Sequence, residues 1–190
     1  FMDLEIQQAE VEGAYLNGSL DVDIYMRYPE CVVPTEGWDA LKLNKALYGL
    51  KQAGRLWWQE LGSKLGAMGF SKLHSGWGLY IRDDRSGQPF MILLVYVDDF
   101  VIAAKTERDI QLFLAEVQGY WKLSAMGEIS SVLGMKVARD RPRRKIYLGQ
   151  PAYIDRIAKQ FPTASNPKYR CSTPLPDGYD LVQDHSPCDK

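Results

Sequence analysis

The stretch from Phe90 to Lys105, F-M-I-L-L-V-Y-V-D-D-F-V-I-A-A-K, constrains the fold more than any other part of the chain. An apolar run stops at two adjacent carboxylates, Asp98 and Asp99, and then resumes through Phe100 to Ala104. Each half has the length of a strand and is rich in β-branched and aromatic residues, so the pattern predicts a buried hairpin with Asp98 and Asp99 at its tip. Neighbouring carboxylates repel, and desolvating them without a partner costs on the order of several kcal/mol each. A cation relieves both penalties. Mg²⁺ suits such a tip because it takes one or two protein carboxylates and completes its shell with water and substrate phosphates. Asp is also a favoured turn residue, so the hairpin alone leaves ordinary turn chemistry open.

Length and charge set outer bounds. A chain of 190 residues can form one domain with a real core, or a domain plus a small appendage. Its net charge of -1 gives no global basic field, so any nucleic-acid contact has to be local. Cys31, Cys171 and Cys188, with His74 and His185, make no zinc spacing, and their odd number fits a reduced, intracellular setting. No apolar run approaches the roughly 20 residues of a membrane span, and the N-terminus lacks the features of a secretion signal. No membrane partner is expected. The sequence opens at Phe1 in mid-pattern, as a fragment of something longer would.

In chain order, Phe1 to Val11 reads as a strand by alternation, its phase lost around Gln8 and Ala9, with Glu10 at its end. Asn17-Gly18 signals a turn, Asp23 to Arg27 a short strand, and Pro29, Pro34 and Gly37 a loop. Helical spacing predicts a helix over about Gln52 to Met68 with Gly69 at its C-terminal cap. Lys51, Gln52 and Arg55 then lie at its N-terminus, where donors and backbone together favour anions; a solvated face is the plain alternative. Leu79 to Arg82 reads as a strand, and Asp83 to Gly87 as a loop. Thr106 with Asp109 begins a capped helix carrying Ile110, Phe113, Leu114 and Val117, with Gly119 near its end. Val132 to Ala138 and Lys145 to Leu148 read as strands joined by the basic R-D-R-P-R-R-K, and Pro151 opens a short helix to about Gln160. Beyond Pro162 the composition predicts an extended or disordered tail.

Four segments, in this order, resemble the reverse transcriptase of copia-type LTR retrotransposons. A-Y-L-N-G matches the end of that family's first catalytic motif, A-L-Y-G-L-K-Q-A-G-R-L-W its L-Y-G-L-K-Q-A-P-R-x-W segment, and Y-V-D-D its polymerase signature. V-L-G-M-K-V-A-R-D, followed by L-x-Q-x-x-Y-I, resembles the part leading into the thumb. The resemblance implies an α+β fold. On that resemblance residues 1–149 are expected to form an antiparallel palm sheet with two long helices on one face and the fingers largely missing, and 150–190 to begin the thumb or connection. It implies an RNA-directed DNA polymerase working by two-metal nucleotidyl transfer, with two Mg²⁺ about 3.5–4 Å apart and Mn²⁺ as a possible substitute. The implied catalytic and metal-binding carboxylates are Glu10, Asp98 and Asp99. The implied nucleotide- and template-binding residues are Tyr15, Lys51, Gln52, Arg55 and Tyr96, with Tyr15 under the incoming sugar. Leu133, Gly134 and Met135 correspond to the primer grip. The implied partners are an RNA or DNA template with its primer, deoxynucleoside triphosphates, and the integrase and RNase H of a longer polyprotein.

The chain departs from the family pattern at several positions. Glu10 stands for Asp, Gly54 for Pro, Gly76-Trp77-Gly78 for Asp-Pro-Cys, and Ser124-Ala125 for Lys-Asp, with Lys122 close enough in sequence to replace the lost proton donor. These departures support a second reading, a catalytically inactive retrotransposon remnant that acts at most as a nucleic-acid-binding or interaction domain.

Overall fold

The computed structural model describes residues 3–34, 37, 39–83 and 90–161. Strand β1, Glu5–Val11, runs into a 3-10 helix, Ala14–Asn17, entered through Gly13 at φ 60. Strands β2, Tyr25–Met26, and β3, Leu41–Lys42, pair with each other. Helix α1, Ala53–Ala67, is followed by β4, Ser71–Lys72, β5, Leu79–Arg82, β6, Met91–Tyr96, and β7, Asp99–Ala104. Helix α2, Glu107–Gln118, precedes β8, Leu123–Glu128. Strands β9, Ser131–Val132, β10, Met135–Asp140, and β11, Lys145–Gly149, form a meander before helix α3, Pro151–Gln160.

The result is an α+β fold around a six-stranded sheet in the order β4-β5-β6-β7-β1-β8, with every described pairing antiparallel. Strand alternation sorts its side chains. Val95, Phe100 and Ala9 are cross-strand partners, as are Leu93 with Ile102 and Met91 with Ala104, and all are buried. Trp57, Leu61 and Leu65 of α1 and Ile110, Phe113, Leu114 and Val117 of α2 belong to the same core, so both helices cover one face. Phe70 packs on Phe113 at 5.3 Å, and Trp57 meets the edge of Trp121 at 5.0 Å. The ends are sequence-encoded: Thr106 Oγ1 accepts from the Asp109 amide at 3.2 Å, and Gly69 takes φ 83 just after α1.

Several expectations need correction. Of the strand expected over 1–11, residues 1 and 2 lie outside the described residues, and β1 starts at Glu5 rather than Asp3 because Glu5 pairs with Ala104, the last residue of β7. The expected strand over 132–138 is broken by Leu133 and Gly134, whose φ values of 49 and 74 turn the chain between β9 and β10. The strand expected over 23–27 shortens to Tyr25–Met26, limited by its two-residue partner β3. Alternation missed β8, an edge strand whose register against β1 shifts between Gln8 and Ala9. The expected tail beyond Pro162, and the loop over 84–87, lie outside the described residues. No helix among the described residues is long and apolar enough to cross a membrane.

Gly78 shows how tightly the β5–β6 edge is built. It takes φ 86, its carbonyl accepts from the Val95 amide at 2.8 Å, and a Cβ there would overlap the Val95 carbonyl oxygen. Both the backbone conformation and the space demand glycine. Gly78→Ala should therefore destabilise the fold by about 2 kcal/mol or more, measured by urea unfolding. A variant within about 0.5 kcal/mol of the parent would contradict that packing.

Candidate active site

The site begins at the hairpin turn. Strands β6 and β7 pair through Tyr96 and Asp99, so the two-residue turn is Val97 and Asp98, one residue earlier than the expected Asp98-Asp99 tip, and Asp99 opens β7 because the ladder extends to it. Val97 takes φ 58, the left-handed conformation that primed hairpin turns need and that a β-branched residue resists. Two hydrogen bonds hold it. The buried Trp57 indole donates to the Val97 carbonyl at 2.7 Å, and the Val11 amide donates to the Asp98 carbonyl at 2.9 Å.

Across the sheet from that turn, the register aligns four residues of neighbouring strands: Tyr96 pairs with Asp99, Asp99 with Glu10, and Glu10 with Ser124. Cross-strand partners share a face, so this row lies opposite the helix-covered core. Glu10 is exposed, whereas Asp98 and Asp99 are half-buried. Burial, and then the charge of Asp98, push the Asp99 carboxyl above the usual carboxylate range. Among the described residues no three side chains of the His, Cys, Asp or Glu types converge closely enough to hold a metal ion. The donor set does suit a hard cation held by one or two carboxylates and completed by phosphate oxygens.

Tyr15 sits in the 3-10 helix just past β1, its ring 4.6 Å from that of Tyr48 and half-buried against the core. It lines a cavity of about 410 Å³ together with Arg55, Trp58, Tyr96 and Val97. The ring thus belongs to a pocket beside the hairpin tip while its body rests on the core. Arg55 donates to Asp21 at 2.6 Å and to Gln59 at 3.2 Å, and its hydrogen bond holds the Asp21 carboxyl below the usual range. Lys51 is exposed and Gln52 caps α1 by position without a side-chain capping bond; neither is among the described residues lining the cavity.

Leu133 and Gly134 come next to the carboxylate row. With Gln8, Asp99, Val101 and Met126 they line a cleft of about 180 Å³; Met135 lies beyond it as the first residue of β10. Gln8, which the sequence reading passed over, is the tie. It is buried, and its Oε1 accepts from the amides of Ser130 and Ser131 at 3.0 and 3.4 Å, fastening the β9 turn to the sheet. The signal was the loss of alternation at Gln8. No sequence pattern pairs the Trp57 indole with Val97, forty residues away. Lys122 makes an ion pair with Glu12 at 2.6 Å, the hydrogen bond that chiefly lowers the Glu12 carboxyl.

Asp99 sets a pH signature. Its folded carboxyl holds a proton more tightly than the unfolded chain does, so its contribution to stability falls as pH rises from the ordinary carboxylate range through the raised folded value. Asp99→Asn should melt higher than the parent at neutral pH, with the difference shrinking in acid below that range. A variant that melts lower than the parent at both extremes would remove the electrostatic account.

The chain is similar to known proteins over most of its length. The family model described as reverse transcriptase (RNA-dependent DNA polymerase) matches residues 2–176. The chain is 37% identical over 175 residues to the retrovirus-related Pol polyprotein from transposon TNT 1-94 of Nicotiana tabacum, covering 92% of the chain and 13% of that protein. It is 31% identical over 173 residues to the retrovirus-related Pol polyprotein from transposon RE1 of Arabidopsis thaliana, covering 90% of the chain and 12% of that protein. Against the transposon Ty1-DR4 Gag-Pol polyprotein of Saccharomyces cerevisiae it is 24% identical over 193 residues, covering 97% and 12%. The chain therefore spans about an eighth of the length of these polyproteins.

Proposed function

The chain belongs to the reverse transcriptase (RNA-dependent DNA polymerase) family, and from that premise we propose that it is the catalytic palm of a copia-type retrotransposon polymerase, with α3 opening the thumb. The observation that carries the reading is the pairing of Glu10 with Asp99 beside the turn residue Asp98. Glu10, Asp98 and Asp99 would hold two Mg²⁺, or Mn²⁺ in their place, and the bound ions would supply activation of the primer 3′ hydroxyl and a grip on the triphosphate.

The chain's own residues have separable tasks. Trp57 and Val11 keep the turn rigid, so that Asp98 and Asp99 meet the reactants without rearrangement. Tyr15 and Tyr96 border the cavity for the incoming nucleotide, the Tyr15 ring excluding a ribose 2′ hydroxyl, while Lys51, Gln52 and Arg55 at the start of α1 contact nucleotide and template. The Leu133–Gly134 turn, tied down through Gln8, bears on the primer backbone beside Asp99, with Met135 continuing into β10. Template, primer, deoxynucleoside triphosphates and the remaining modules of a longer polyprotein are the partners on this reading. The second reading, an inactive remnant limited to binding, draws on Glu10 in place of Asp.

Primer extension with Mg²⁺ and with Mn²⁺ separates the two. Because Glu10 is exposed, Glu10→Asp should leave stability within about 0.5 kcal/mol. It withdraws the carboxylate by roughly 1.5 Å, and a displacement of that order is worth up to about a hundredfold in rate. We expect a gain of at least about tenfold, with Mn²⁺ partly rescuing the unaltered protein. Robust Mg²⁺-dependent synthesis without any gain would show the geometric penalty to be overestimated, and silence from both forms would favour the remnant.

In an extending protein, Tyr15→Ala should increase ribonucleotide incorporation relative to deoxyribonucleotide, since the clash that discriminates is gone. Unchanged sugar selectivity would reject the role given to the ring.

A further inference from the structure

The loop before β5 carries an aromatic group that the packing does not explain. Trp77 is 91% exposed, the largest exposure among the described large apolar side chains. An indole left in water is costly unless something covers it. Yet its surroundings are ordered. The Lys72 ammonium, from β4, lies 4.7 Å from the Trp77 ring centre and 4.9 Å from that of Trp58 on α1, so one cation bridges two indoles. Trp58 in turn packs on Tyr80 at 5.8 Å, which anchors the inner half of the arrangement to the core.

This cluster is continuous with the candidate active site. Trp58 and Trp77 line the same cavity of about 410 Å³ as Tyr15 and Val97, and Trp77 and Lys72 also line a second hollow of about 290 Å³, with His74. No described carboxylate lines either one, and their charged side chains are Arg55 and Lys72. Arg55 at the inner end is held by Asp21 at 2.6 Å, while the Lys72 ammonium lies between two aromatic faces, an arrangement that matches the chemistry of a single-stranded nucleic acid, whose bases stack and whose phosphates carry charge. A protein partner would be expected to meet an apolar patch without this bias toward cations.

We propose that Trp77, Lys72 and Trp58 form a stacking platform for unpaired template, with a base on Trp77 and the neighbouring phosphate on Lys72, leading the strand toward the hairpin tip. This inference rests on the polymerase reading for the identity of the strand. Stacking on one aromatic ring is sequence-tolerant, as copying an arbitrary template requires.

The test uses the full chain and a single-stranded RNA of about 12 nucleotides, within the roughly 4–16 that such grooves accommodate. Trp77→Ala should weaken binding about tenfold, from the loss of one stacked base, and leave the salt dependence unchanged. Trp77→Phe should recover most of the affinity. Lys72→Ala should weaken binding and reduce the slope of log affinity against log salt by about 0.7, the signature of one lost phosphate contact on a single strand. Equal affinity for parent and Trp77→Ala, with both folded by circular dichroism, overturns the platform and leaves the polymerase reading standing. A parent chain that binds no oligonucleotide overturns both. Loss on Trp77→Ala that is the same for a blunt duplex as for the single strand also overturns the platform, because stacking requires unpaired bases.

Discussion

The candidate site depends on one strained residue and the indole that holds it. Val97 adopts a left-handed conformation that costs a β-branched residue on the order of 1–3 kcal/mol, and such a conformation persists only where the surroundings overdetermine it. Here the surroundings come from two distant parts of the chain. Trp57, buried in α1, donates to the Val97 carbonyl, and Val11 on β1 donates to that of Asp98. The tight turn brings Asp99 directly into the β7 ladder, so that Asp99 stands on a strand and Asp98 on a turn held at both carbonyls. Removing water from the indole and filling the helix-covered face with Phe100, Ile102 and Leu93 makes the turn part of the core's energetics.

The same sheet separates stability from chemistry by the parity of its strands. One set of cross-strand partners, Ala9, Phe100 and Val95, is buried under both helices; the next, Ser124, Glu10, Asp99 and Tyr96, lies on the other face. A slip of one residue anywhere in β1 or β7 would put carboxylates into the core, so hydrophobic burial itself enforces the alignment of the site. Glu10 and Asp99 face each other as like charges with Asp98 adjacent, and burial first, then the charge of Asp98, raises the Asp99 carboxyl.

The second sheet meets this row through polar ties rather than through the main core. Gln8 fastens Ser130 and Ser131, while Arg139 reaches Asp3 at 2.9 Å and Arg141 reaches Glu5 at 2.8 Å. The exposed ion pairs contribute modestly, whereas the buried amide of Gln8 satisfies two backbone donors at once. Helix α3 has no buried residue, and β11 is exposed throughout. That end of the described chain therefore presents Tyr153, Ile154 and Ile157 without covering them.

What the sequence determined by itself was whatever rests on local periodicity and local chemistry. The apolar runs around Asp98 and Asp99 specified the hairpin, Thr106 and Asp109 the start of α2, Gly69 the end of α1, and Pro151 the start of α3, because each is decided within a few residues of backbone. Likeness of motif pointed to Glu10, Asp98 and Asp99 as a set. Tertiary structure decided the rest. The register that faces Glu10 with Asp99, the edge strand β8 with its shifted pairing, the tie from Gln8 to Ser130 and the bond from Trp57 to Val97 all join residues far apart in the chain. Such pairings are selected by the packing of the whole core, and no window of sequence contains both partners.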